Sequence, residues 1–108
     1  MHKVSDYLVD LQANAFKALA HPTRVHIIHL LQNGPLCVCE IVEELEEEYA
    51  NVSRHLSKLS NASLVSSERR GTSMYYSLDC KCILGFIQCL SGFLVEKEKQ
   101  RAEKAKNL

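Results

Sequence analysis

Residues 37–61 read CVCEIVEELEEEYANVSRHLSKLSN, and this stretch decides the fold. Val38, Ile41, Val42 and Leu45 recur at helical spacing, so the segment from about Cys37 to Leu45 is predicted to be a short helix with one apolar face. The acidic run Glu46-Glu47-Glu48 breaks that pattern as a turn. A second stripe, Val52, Leu56 and Leu59, then predicts a helix from about Ala50 to Asn61. Two short helices joined by a tight turn make a helix-turn-helix.

The flanks extend this reading in both directions. Upstream, Ser5 is a candidate N-cap for a helix to Ala20, with Leu8, Leu11, Ala15, Phe16 and Leu19 on one side. His21-Pro22-Thr23 interrupts it, since the residue before proline is pushed out of the helical region. A further helix carrying Val25, Ile27, Ile28 and Leu31 stops at Asn33-Gly34-Pro35. Downstream of Leu64 the period changes, and LVSSERRGTSMYYSL predicts two strands around a Gly-Thr turn. From Cys80 to about Lys104 the pattern is helical again, and its apolar face (Ile83, Phe86, Ile87, Leu90, Phe93, Leu94) is too wide for a surface helix. The fold expected is therefore mainly α with a β-hairpin wing: a winged helix-turn-helix, homodimeric through its first and last helices. Residues 1–108 are read as a single domain.

Composition narrows the function classes. No apolar run is long enough to span a membrane, and charges near the N-terminus stand where a signal peptide needs an apolar core. A cytoplasmic protein is expected. Net charge is zero, but six of the thirteen acids lie between Glu40 and Glu48. Arg54, Lys58, Arg69 and Arg70 follow with only Glu68 among them, so a neutral total can hide a basic face. Four of the five cysteines form two C-x-C pairs, Cys37/Cys39 and Cys80/Cys82, while Cys89 stands alone and reads as packing. In a reducing compartment each pair can be a ligand pair, a redox pair or two small apolar side chains. A cysteine oxidoreductase would want C-x-x-C in a βαβ frame, and the sequence has neither. His26 and His29 read as surface histidines.

Four blocks in order, FKALAHPTRVHIIHLL at 16–31, LCVCEIVEEL at 36–45, NVSRHLSKLSNASLV at 51–65 and RRGTSMYYSL at 69–78, resemble the arsenic-repressor (ArsR/SmtB) family. The resemblance implies a homodimeric winged-helix repressor, not an enzyme. Its affinity for a double-stranded, imperfectly palindromic DNA operator would fall when a metal ion, metalloid or thiol oxidant binds. On the second helix of the motif, Asn51, Ser53, Arg54, His55, Ser57 and Lys58 avoid the buried stripe and would face DNA. Arg54 suits guanine and Asn51 adenine, while Ser57 and Lys58 suit phosphate. Arg69 and Arg70 would sit at the wing tip. Glu48 and Tyr49 depart from the small N-cap and glutamine usual in the family, bringing negative charge towards phosphates.

Cys37 and Cys39 match the family's C-V-C metal motif, which implies As(III), Cd(II) or Zn(II) as inducer and no obligatory cofactor. A third cysteine found in some members falls at Val42 here. Zinc-sensing relatives have Asp and His at the positions of Cys80 and Cys82, with later ligands where Phe93 and Glu96 stand. Oxidation of the thiols is the competing signal, favoured because Cys37 and Cys80 both look like first-turn residues with lowered pKa. A metal-binding or dimer-interaction module without DNA binding is the reading from a different class. Residues two apart on a regular helix point about 200° apart, so Cys37 and Cys39 can share one ion only if the helix starts late.

Overall fold

The Ser5 hydroxyl accepts a hydrogen bond from the Leu8 N–H at 3.1 Å, which starts α1 (Asp6–Leu19) where the sequence places it. The structure, a computed structural model, describes residues 4 to 107. Pro22 occupies the first position of α2 (Pro22–Leu30), where a missing N–H costs nothing. His21 caps the same helix, its Nδ1 accepting from the Thr23 N–H at 3.1 Å. A 3-10 turn over Leu31–Asn33 and Gly34, at φ 132°, then redirect the chain.

Beyond Pro35 the structure departs from the two-stranded expectation. Leu36–Cys37 form a short strand, β1, before α3 (Val38–Leu45) and α4 (Tyr49–Asn61). The hairpin follows as β2 (Val65–Arg70) and β3 (Ser73–Leu78), turning at Gly71 with φ 64°. β3 is central in the order β1-β3-β2, pairing antiparallel with β2 from Val65↔Leu78 to Arg70↔Ser73. Its other edge takes up β1 through Leu36↔Tyr76 and Cys37↔Tyr75. Pairing holds Cys37 extended (φ −76°, ψ 155°), and α3 consequently starts one residue late. α5 (Cys82–Lys106) starts two residues later than expected, leaving Cys80 outside the helix.

The core lies where α2, α3, α4 and the sheet meet. Ile27, Ile28, Ile41, Val52, Leu56, Leu59 and Val65 are its fully buried side chains, each contributing about 1.5–3 kcal/mol relative to exposure. Both predicted stripes of the helix-turn-helix supply it. By contrast, α1 and α5 carry large exposed apolar side chains, among them Leu8, Leu11, Phe16, Phe86, Leu90 and Phe93. The two helices adjoin, with the Phe16 and Phe86 ring centroids 6.4 Å apart. The chain exposes 8196 Å², against about 6,100 Å² for a folded monomer of this mass. Its radius of gyration is 17.2 Å, against about 13 Å for a compact chain of this length.

Candidate nucleic-acid interface and thiol pairs

Burial of Val52, Leu56 and Leu59 fixes how α4 is rolled on the core, and the remaining positions follow from it. Arg54, Ser57 and Lys58 are exposed, and Asn51 and Ser53 are half-buried. Asn51 is held from both sides: its amide donates to Glu47 Oε2 at 2.9 Å, and its carbonyl oxygen accepts from the Arg54 guanidinium. The Glu47 carboxylate is thus engaged by Asn51. Glu48 is exposed at the N-cap of α4 without a side-chain capping bond, so its charge faces the positive end of the helix.

His55, grouped by sequence with the DNA-facing residues, is half-buried and turns its ring towards α2. Its Nδ1 accepts from Arg24 Nε at 3.1 Å, and its ring lies 4.4 Å from that of His21. Burial is the main reason its pKa is held below the usual 6.5, followed by the charges of His21, Arg24 and Arg54, with Glu47 acting the other way. Arg24 also donates to the Ala18 carbonyl at 3.2 Å, so one guanidinium joins the end of α1 to α4. Sequence reading missed Arg24 and His21, because Arg24 and His55 are 31 positions apart.

Arg69 and Arg70 are exposed at the end of β2, beside the turn. Arg70 lies 3.5 Å from Glu68 and stacks 4.6 Å from the centroid of the Tyr75 ring.

Both C-x-C pairs straddle the start of a helix, and both bring their sulfurs together. Because Cys37 belongs to β1, its side chain is not turned away from Cys39, and the two are joined in a disulfide with Cα atoms 5.3 Å apart. Cys37 is buried, whereas Cys39 is exposed. The Cys80 and Cys82 sulfurs are 3.4 Å apart. The Cys80 thiol is pushed up, chiefly by its hydrogen bond with Cys82 and then by burial, where a first-turn position had predicted the reverse. Cys89, read as a packing residue, is exposed on α5. Among the described residues no three Cys, His, Asp or Glu side chains converge on one point, so the two pairs do not merge within a subunit. The free Cys80/Cys82 pair, and the Cys37/Cys39 pair once reduced, would each offer two sulfur donors, which suit a soft ion but fall short of a tetrahedral set.

The matching family model, "Bacterial regulatory protein, arsR family", spans residues 21–67, from the cap of α2 through the helix-turn-helix into β2. The chain is 34% identical over 88 residues to the arsenical resistance operon repressor of Bacillus subtilis, covering 81% of this chain and 84% of the relative. The chain belongs to the arsR family. Another relative is the cadmium resistance transcriptional regulatory protein CadC homolog of Staphylococcus aureus, 36% identical over 87 residues, or 80% of this chain and 70% of that protein. Among solved structures, the homodimeric winged helix-turn-helix DNA-binding domain from Mycobacterium bovis superposes with a TM-score of 0.78 at 29% identity. That likeness covers 90% of this chain and 95% of the other. As an arsR-family member the chain is a DNA-binding transcriptional regulator of winged helix-turn-helix fold, not an enzyme. No helix among the described residues is long and apolar enough to cross a membrane.

Proposed function

We propose that this single-domain arsR-family chain acts in the cytoplasm as a homodimeric repressor of an imperfectly palindromic operator. Capture of As(III), Cd(II) or Zn(II) by cysteine thiolates releases it. Asn51, Ser53 and Arg54 read or line the major groove, Ser57 and Lys58 hold phosphate, and Arg69 and Arg70 place the wing. The observation that carries the sensing reading is the convergence of each C-x-C pair at a helix start. Two thiolates per pair would hold a soft ion, and a second subunit or solvent would complete its coordination. Relatives named for arsenical and cadmium resistance favour the same signal. Dimerisation rests on the exposed apolar face of α1 and α5 and on the excess surface of the lone chain.

The Cys37–Cys39 disulfide favours a second reading, in which oxidation itself is the signal. Two thiols would give two protons and two electrons to a peroxide, forming one disulfide and two waters. Metal capture at this pair requires the reduced form.

Operator binding by the reduced dimer, titrated separately with arsenite, Cd(II), Zn(II) and peroxide, tests both readings. Release by an ion that is lost in Cys37/Cys39→Ser or Cys80/Cys82→Ser supports metal sensing and locates it. Release by peroxide alone selects the redox reading. An unchanged response in both double variants sinks thiol sensing, and no DNA binding at low salt leaves a metal-binding or interaction module.

A further inference from the structure

His55 and His21 share one chemical requirement. Each uses its Nδ1 lone pair as an acceptor, His55 from Arg24 Nε at 3.1 Å and His21 from the Thr23 N–H at 3.1 Å. The Arg24–His55 bond does not survive protonation of His55 Nδ1, since an imidazolium has only donors. The rings lie 4.4 Å apart, so charge on either opposes charge on the other. The charged groups around His55 are His21 and Arg24 from α2, Glu47 from the turn, and Arg54 and Lys58 from α4 itself. Four of these five neighbours are basic, and the Glu47 carboxylate is taken up by Asn51. A protonated His55 would therefore lose its partner and face a basic surround.

The mechanical connection is equally specific. α1 and α4 share the apolar core, and Arg24 adds a polar tie between them, one rigid guanidinium bonding Ala18 O at the end of α1 and the His55 side chain of α4. α1 carries part of the apolar face assigned above to the dimer seam, and α4 carries the groups assigned to DNA.

We propose that Arg24 and His55 form an acid-sensitive latch, in which Arg24 is a positioning residue that sets α4 against α1 only while His55 is neutral. Acidification opens the latch and weakens operator reading, without any inducer. The DNA part of this inference rests on the repressor reading above, whereas the latch itself is a property of the free protein.

Both parts can be measured separately on the full chain. Hydrogen exchange of α4 amides in the free dimer reads the latch, and the anisotropy of a labelled duplex, selected from a random-sequence pool at pH 7.5, reads DNA affinity. Loss of a charge-assisted hydrogen bond predicts about a tenfold fall in affinity between pH 7.5 and 5.5, with faster α4 exchange. His55→Gln keeps a neutral acceptor for Arg24, so its pH profile should flatten. His55→Lys mimics the open state and should bind more weakly at both pH values, although it adds positive charge near DNA. Tighter binding by His55→Lys, identical pH profiles for wild type and His55→Gln, or α4 exchange indifferent to pH would each overturn the latch. If His55→Gln fails to fold, wild-type α4 exchange at the two pH values decides the latch. If no duplex can be selected at pH 7.5, the repressor reading fails instead, and exchange alone decides the latch.

Discussion

Arg54 is exposed on α4, yet its guanidinium already donates to Asn51, so removing it changes two candidate base contacts at once. Arg54→Ala should weaken operator binding by about 1–3 kcal/mol and relax the preference at one base position, measured by competition among single-base operator variants. Lys58→Ala should instead weaken binding across all sequences and reduce the salt slope by about one, seen in binding isotherms at several ionic strengths. His55 makes fold stability depend on pH. Its folded pKa lies below 6.5, so the unfolded chain takes up a proton first as pH falls. The stability this group contributes is complete above pH 6.5 and is lost as pH drops through the folded value, so urea midpoints at pH 7.5 and 5.5 should differ more for wild type than for His55→Gln. Arg54, Ser57 and Lys58 were legible because a stripe of Val52, Leu56 and Leu59 leaves them only the outer face. The inward turn of His55 was not, because its partners come from another helix and share no local period with it.

Between α3 and α4 the chain turns at Glu46, a non-glycine residue in the left-handed region at φ 52°. Glycine adopts that conformation without a clash of its Cβ. Glu46→Gly should raise unfolding free energy by about 0.5–1 kcal/mol in urea melts while leaving DNA binding intact. Leu56→Ala on the buried side of α4 should cost about 2–5 kcal/mol in the same assay, because Leu56 is fully buried among packed neighbours. Helix identity was legible throughout, since each helix repeats its apolar residues over several turns. The third strand was not: Leu36–Cys37 is two residues long and has no period to read, and it exists because β3 offers a free edge. That strand also decides where α3 begins, so the geometry of the first thiol pair depended on a feature outside the pattern of its own segment.

For the whole molecule, the surface of α1 and α5 matters most. α5 has 25 residues, about 37 Å of helix, and presents Phe86, Leu90, Phe93, Leu94 and Val95 to solvent in the single chain. Contiguous exposure on that scale marks an interaction face. Leu90→Glu should shift sedimentation from dimer to monomer at micromolar protein and reduce operator affinity, since two half-sites would no longer be held by one particle. A dimeric Leu90→Glu variant would place the seam elsewhere. The exposed apolar face of α5 was legible in the breadth of the pattern from Ile83 to Leu94. Only the three-dimensional structure brings Phe16 of α1 beside Phe86 of α5, making one face of two helices distant in sequence.

The pairing of Cys37 with Tyr75 also provides an optical handle. The chain has four tyrosines and no tryptophan, so its ultraviolet emission belongs to tyrosine alone. Tyr75 lies beneath the Arg70 guanidinium and across the sheet from a sulfur that can be thiol, thiolate or disulfide. Sulfur in these states quenches a neighbouring phenol to different extents. Unlabelled protein should therefore report events at Cys37 as a change in its own fluorescence, and Tyr75→Phe should remove most of that change.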